Sequence, residues 1–210
     1  MPFNLPTALT WLRIVLIPVF VGVYYLPQSA LSMPAKNGLA MTIFAVAAIT
    51  DWADGWLARR WGQTSAFGAF LDPVADKLMV VAALIVLVWL DRADAWLCMI
   101  IIGRELAISA LREWMAQLGK SKSVAVAFIG KVKTGAQITA IIALLLYQPV
   151  IPGIDTVWLG TAALWVAAIL TLWSMVHYLR IAAPYLAPSS TTPLSRTLSR
   201  IDPAESEKLK

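Results

Sequence analysis

Four aspartates within 26 positions, Asp51, Asp54, Asp72 and Asp76, are the residues whose type and spacing most invite chemistry. The first two are three apart and the last two four apart, spacings that put each pair on one face of its own helix. Joined as a hairpin, two such helices point four carboxylates at one another. Both pairs adjoin long apolar runs, where an unpaired carboxylate costs several kcal/mol, roughly 2.5 or more even on the lenient insertion scale. Cations must therefore sit among them. Arg59, Arg60 and Lys77 are nearby, but a carboxylate cluster without His or Cys suits a hard divalent cation, magnesium or manganese. Two such ions would neutralise the charge of an in-line displacement at phosphorus. Gly55 and Gly68 stand close by and permit close approach of a ligand. Arg59 offers a planar fork suited to phosphate, and Ser65 places a hydroxyl in the short polar connection after Gly62.

Plainer readings exist for each residue alone. Asp72 followed by Pro73 is a normal helix start, with an N-cap and Pro at N1. Asp51 and Asp54 could be interfacial residues paired with Arg59 and Arg60. The joint spacing of acids and glycines favours the metal reading over both.

The elements that must position these residues are membrane helices. Of the 210 residues, 60% are apolar and 14% charged, roughly half the charged share of an average soluble domain. A span takes about 20 apolar residues. Hydropathy and helix punctuation predict an all-α integral membrane protein with segments at about 7–26, 38–60, 72–90, 95–117, 129–147 and 156–180. The first reads as a retained helix, because no basic side chain precedes it and it is too long for a signal sequence. Residues 1–187 form one membrane domain, while 188–210 turn to Ser, Thr, Pro and charge and read as a disordered tail. The lone Cys98 excludes an internal disulfide or a cysteine metal cluster.

Alternating helix direction brings the end of helix two, the start of three, the later part of four and the start of five to one side. Of the 17 Lys and Arg residues only Lys36 and Arg92 fall on the other. Positive charge marks the cytoplasmic face, so a polar cavity opens there and both termini lie there. The net charge of +5 is explained by that bias and by anionic lipid, and no nucleic-acid partner is needed. Trp89 and Trp96, flanking Asp91 and Arg92, mark the far interface.

Written out, the stretch is Asp51-x2-Asp54-Gly55-x2-Ala58-Arg59-x8-Gly68-x3-Asp72-x3-Asp76, eight fixed residues over 26 positions. At each of them it resembles the signature of the CDP-alcohol phosphotransferases, six-helix membrane enzymes with a cytosol-facing dinuclear site. The resemblance implies that Asp51, Asp54, Asp72 and Asp76 hold two magnesium or manganese ions and that Asp76 is the base for the acceptor hydroxyl. It also implies that Gly55, Arg59, Ser65 and Gly68 contact the CDP group, with Thr10 and Arg13 bordering the nucleotide, and that the enzyme is a homodimer.

Segments 4–13, 68–77, 104–113 and 130–137 look like one branch of that family, the bacterial enzymes that pass the phosphatidyl group of CDP-diacylglycerol to sn-glycerol 3-phosphate at the inner membrane, toward phosphatidylglycerol and cardiolipin. The residues point the same way. A dianionic acceptor needs cations apart from the donor's metals, and Arg104, Arg112, Lys131 and Lys133 supply them. Their plainer role is anchoring: Lys131 and Lys133 could snorkel to headgroups, and Glu105 could pair with one arginine. The alternatives are a different acceptor, such as serine or inositol phosphate, and an ion-coupled transporter. The second lacks the internal repeats and broken helices that transporters tend to show. His177, the single histidine, reads as a packing or interfacial residue.

Overall fold

In the computed structural model, residues 5–61, 66–119, 127–148 and 155–186 are described, with the side chains of 5–7, 52–61, 66–70, 72, 127–131 and 186 outside the description. Six helices follow in order among these residues: α1 Leu5–Tyr25, α2 Met33–Trp61, α3 Ala66–Trp89, α4 Ala95–Gln117, α5 Ala127–Leu146 and α6 Thr156–Leu186. Each has 20 residues or more, which at about 1.5 Å per residue reaches across the hydrocarbon of a bilayer. Among the described residues, α1, α2 and α6 carry apolar windows long enough for a span by composition alone: Ala8–Tyr25, Met33–Asp51 and Thr156–Tyr185.

Two helix starts differ from the sequence expectation. α2 begins at Met33 rather than 38, with Pro34 in its first turn, where a missing N–H costs nothing. α3 begins at Ala66, so Asp72 and Pro73 lie inside it rather than at its start. The N-cap explanation for Asp72 therefore fails. Pro73 removes one helical hydrogen bond and crowds the carbonyl one turn earlier, which the helix tolerates. α6 also runs to Leu186, past the expected end near 180. The tail at 188–210 and the connection holding Ser65 lie outside the described residues.

α5 packs along α6, α1 along α2 and α3, α4 on α6, and α2 on α5. Phe20, Phe44, Leu84, Leu87, Leu97, Ile101, Ile141, Leu144 and Leu164 fill the common core, with Cys98 among them. A second cluster, Ile108, Met115, Tyr178 and Ala182, joins α4 to α6. Gly160 lets α6 close on α5, because a Cβ there would sit 2.7 Å from Leu144 Cγ. Large apolar side chains, among them Ile49, Met99, Trp158, Ile169 and Trp173, face outward. An apolar exterior on apolar helices suits a membrane protein.

Polar groups fasten the end of the bundle near Trp89. Asp91 takes a left-handed conformation at φ 56°, and the Asp91 and Arg92 N–H groups close the end of α3 on Val88 O and Leu87 O, a pairing that satisfies two orphan carbonyls. Arg92 then donates from Nη1 to Leu144 O at 3.2 Å and Leu145 O at 2.9 Å, and from Nη2 to Asn37 Oδ1 at 3.0 Å. Its guanidinium lies 4.3 Å from the Tyr147 ring centroid. Lys36 does the same for α1, donating to the carbonyls of Tyr24 and Leu26. Both cations sit where the helix dipoles are negative. Arg92→Met should therefore lower the melting temperature in detergent by several degrees, from a loss of about 2 kcal/mol or more of charge-assisted hydrogen bonding. An unchanged melting temperature would show that the clamp contributes nothing.

Candidate active site

Five helices wall one polar cavity. α1 contributes Arg13, α2 contributes Asp51 beside Ala47 and Ala48, and α3 contributes Asp76 and Lys77. Glu105 comes from α4, and Lys133, Thr134 and Gln137 come from α5. Phe44, Met79, Val80 and Ile138 close its inner end. Helices alternate in direction, so residues far apart in sequence reach one level. The period of α5 brings Lys133, Thr134 and Gln137 to one face, one turn apart.

Asp51 and Asp76 thus share the cavity although 25 residues separate them. Asp51 Oδ1 lies 2.9 Å from Arg13 Nη1. The Arg13 side chain is only 2% exposed, whereas the Asp51 side chain is 42% exposed and Asp76 is exposed as well. The buried partner holds one carboxylate in place while both keep open access. Thr10 is fully buried one turn before Arg13 and does not line the cavity.

On α4 and α5, positive charge is gathered around one acid. Glu105 Oε2 accepts from Arg104 Nη1 at 2.9 Å and from Lys133 Nζ. Arg104 Nη2 donates to Ser174 Oγ on α6, and Ser174 in turn donates to Thr171 O. Lys133 and Glu105 line the cavity; Arg104, 8% exposed, lies behind them.

Of the residues singled out in the sequence, Arg13, Asp51, Asp76 and Lys133 line this one cavity. Asp54, Gly55 and Arg59 lie in the last turns of α2, Gly68 and Asp72 in the first turns of α3, and Lys131 in the first turns of α5. The side chains of these six, and all of Ser65, lie outside the described residues. Arg112, two turns after Glu105, is exposed and does not line the described cavity. His177 is also exposed, edge-on to Tyr178. The reading of the sequence passed over Glu105, Thr134 and Gln137 as site residues. Glu105 carried a usable signal, since a carboxylate so far inside a helix meets the same desolvation cost as the aspartates.

Could this site hold a divalent cation? Among the described side chains no three potential ligands converge. Asp51 and Asp76 nevertheless line one cavity and offer only carboxylate oxygen, the donor that hard cations prefer. Those residues fit such an ion.

Comparison with known proteins gives the same direction. Residues 3–173 match the family described as CDP-alcohol phosphatidyltransferase. Over 186 residues the chain is 51% identical to a CDP-diacylglycerol–glycerol-3-phosphate 3-phosphatidyltransferase of Salmonella typhimurium, covering 87% of this chain and 96% of that protein. Proteins of the same description from Shigella flexneri and Escherichia coli show the same identity and coverage. With its spaced aspartates, its helical architecture and a match that spans most of its length, the chain belongs to the CDP-alcohol phosphatidyltransferase family.

Proposed function

We propose that this protein transfers the phosphatidyl group of CDP-diacylglycerol to the 1-hydroxyl of sn-glycerol 3-phosphate, giving phosphatidylglycerophosphate and CMP. The observation that carries the reading is a single cavity lined both by the carboxylates Asp51 and Asp76 and by the Lys133 ammonium. An alcohol to be deprotonated and a phosphate to be held need both kinds of group. The relatives that are 51% identical bear the name of this reaction.

The steps follow from the chain's own groups. Asp76 takes the proton of the 1-hydroxyl. The freed oxygen attacks the phosphorus that carries diacylglycerol, the new P–O bond forms in line, and the bond to CMP breaks. No covalent enzyme intermediate is needed. Asp51, Asp54, Asp72 and Asp76 would hold two divalent cations, magnesium or manganese, whose charge neutralises the donor phosphates when bound. Arg13 steadies Asp51, and with Gly55, Arg59, Ser65 and Gly68 it borders the CDP group; Thr10, buried one turn before Arg13, touches the site through the packing of α1. Lys133 meets the acceptor phosphate, with Arg112 and Lys131 toward the entrance. Six spans in the bacterial inner membrane, a cavity open to the cytoplasm and cytoplasmic termini complete the proposal, supported by the asymmetry of Lys and Arg; a homodimer is added on the resemblance to the family alone.

The acceptor side is tested by kinetics. Lys133→Met should raise KM for glycerol 3-phosphate by about tenfold or more, the scale of one charge-assisted hydrogen bond. Arg112→Ala should move the same constant less. A rise confined to KM for CDP-diacylglycerol would instead move either residue to the nucleotide side.

A further inference from the structure

Glu105 is the one carboxylate described in the cavity to which the mechanism gives no part, and it faces an acceptor that is itself an anion. We propose that Glu105 is a positioning residue for the acceptor: its carboxylate presents the Lys133 ammonium to the cavity, and Arg104 acts on the acceptor only through Glu105. This rests on the reading of glycerol 3-phosphate as acceptor.

The geometry separates the three roles. One oxygen, Glu105 Oε2, takes both Arg104 Nη1 and Lys133 Nζ. Arg104 is 8% exposed, lies behind the cavity wall and is fixed at its other nitrogen by Ser174 of α6. It is therefore anchored on α6 and holds Glu105, without reaching the cavity. Lys133 is 5% exposed, yet it lines the cavity beside Glu105. Its ammonium has three N–H donors, and the bond to Glu105 uses one. Two are left for a phosphate, so carboxylate and phosphate can hold the ammonium together.

Without Glu105, two neighbouring cations would repel each other across α4 and α5. The flexible Lys133 stem, which would otherwise tend to snorkel toward water, would lose the group that holds it in. Placing that stem costs side-chain entropy, which Glu105 offsets before the acceptor arrives. The triad carries one net positive charge, and its Lys133 and Glu105 line the same cavity as Asp51 and Asp76. An acceptor whose phosphate is held by Lys133 thus has its hydroxyl within the space that the carboxylates line.

The test is steady-state kinetics on full-length protein in detergent micelles with CDP-diacylglycerol, glycerol 3-phosphate and magnesium. Glu105→Gln keeps the size and a hydrogen-bond acceptor but loses the charge. It should raise KM for glycerol 3-phosphate about tenfold or more, while KM for CDP-diacylglycerol stays near wild type; the melting temperature should fall, since two buried cations lose their shared acid, so the constants are compared below the variant's melting range. Glu105→Asp, which keeps the charge on a shorter stem, should fall between the two. Arg104→Gln should raise the same constant, and the double variant should be no worse than the worse single one, because both act through one group. Were Glu105→Gln to leave KM for glycerol 3-phosphate unchanged or lower it, or were the two single effects to multiply in the double variant, the proposal would be overturned. Should Glu105→Gln not fold, the Arg104→Gln constant decides alone, and an unchanged value overturns it. Wild-type protein that releases no CMP with glycerol 3-phosphate would overturn the acceptor reading and this proposal with it.

Discussion

Asp76→Asn is expected to reduce CMP release by about 1,000-fold or more, within the range that a positioned base contributes together with its effect on bound charge. The variant should still insert and purify, since Asp76 is exposed and lines the cavity. Asparagine keeps the shape and loses the ability to take a proton. Stopped-time assays of CMP release from CDP-diacylglycerol, beside a thermal melt of the same preparation, check both halves. Activity within tenfold of wild type would remove Asp76 as base and leave the proton to another group.

Stripping divalent cations with a chelator is expected to bring CMP release to background, and added magnesium or manganese to restore it. An ion held there would supply counter-charge to the cavity aspartates beyond Arg13, the partner that the structure gives to Asp51. Metal should accordingly raise the melting temperature even without substrate, because a ligand that binds only the folded chain stabilises it. Asp51→Asn should weaken that thermal response. Full turnover in excess chelator, with no metal-dependent melting shift, would contradict the carboxylate site as a metal site.

Much of this site could be read from residue order. Intramembrane acids are expensive, so Asp51 and Asp76 announced themselves, and the alternation of helix direction brought Arg13 and Lys133 to the same level. Three features escaped for physical reasons. A helix start and a tolerated internal proline look alike in sequence, which hid the true beginning of α3 at Ala66, before Asp72-Pro73. Arg104 and Glu105 are consecutive and so stand about 100° apart around the helix. Only the packing of α4 against α6 decides that the acid fronts the cavity while the arginine turns to Ser174. The clamp of Arg92 on the end of α5 joins residues 52 and 53 positions apart, a pairing that no local pattern encodes.

The most direct measurement is acceptor-dependent CMP release. Purified protein is given CDP-diacylglycerol and magnesium with glycerol 3-phosphate, serine or inositol phosphate in turn, and the lipid product is identified by mass. The account predicts CMP release with glycerol 3-phosphate, matched mole for mole by phosphatidylglycerophosphate, and background release with the others. CMP release with serine or inositol phosphate but not with glycerol 3-phosphate would contradict it.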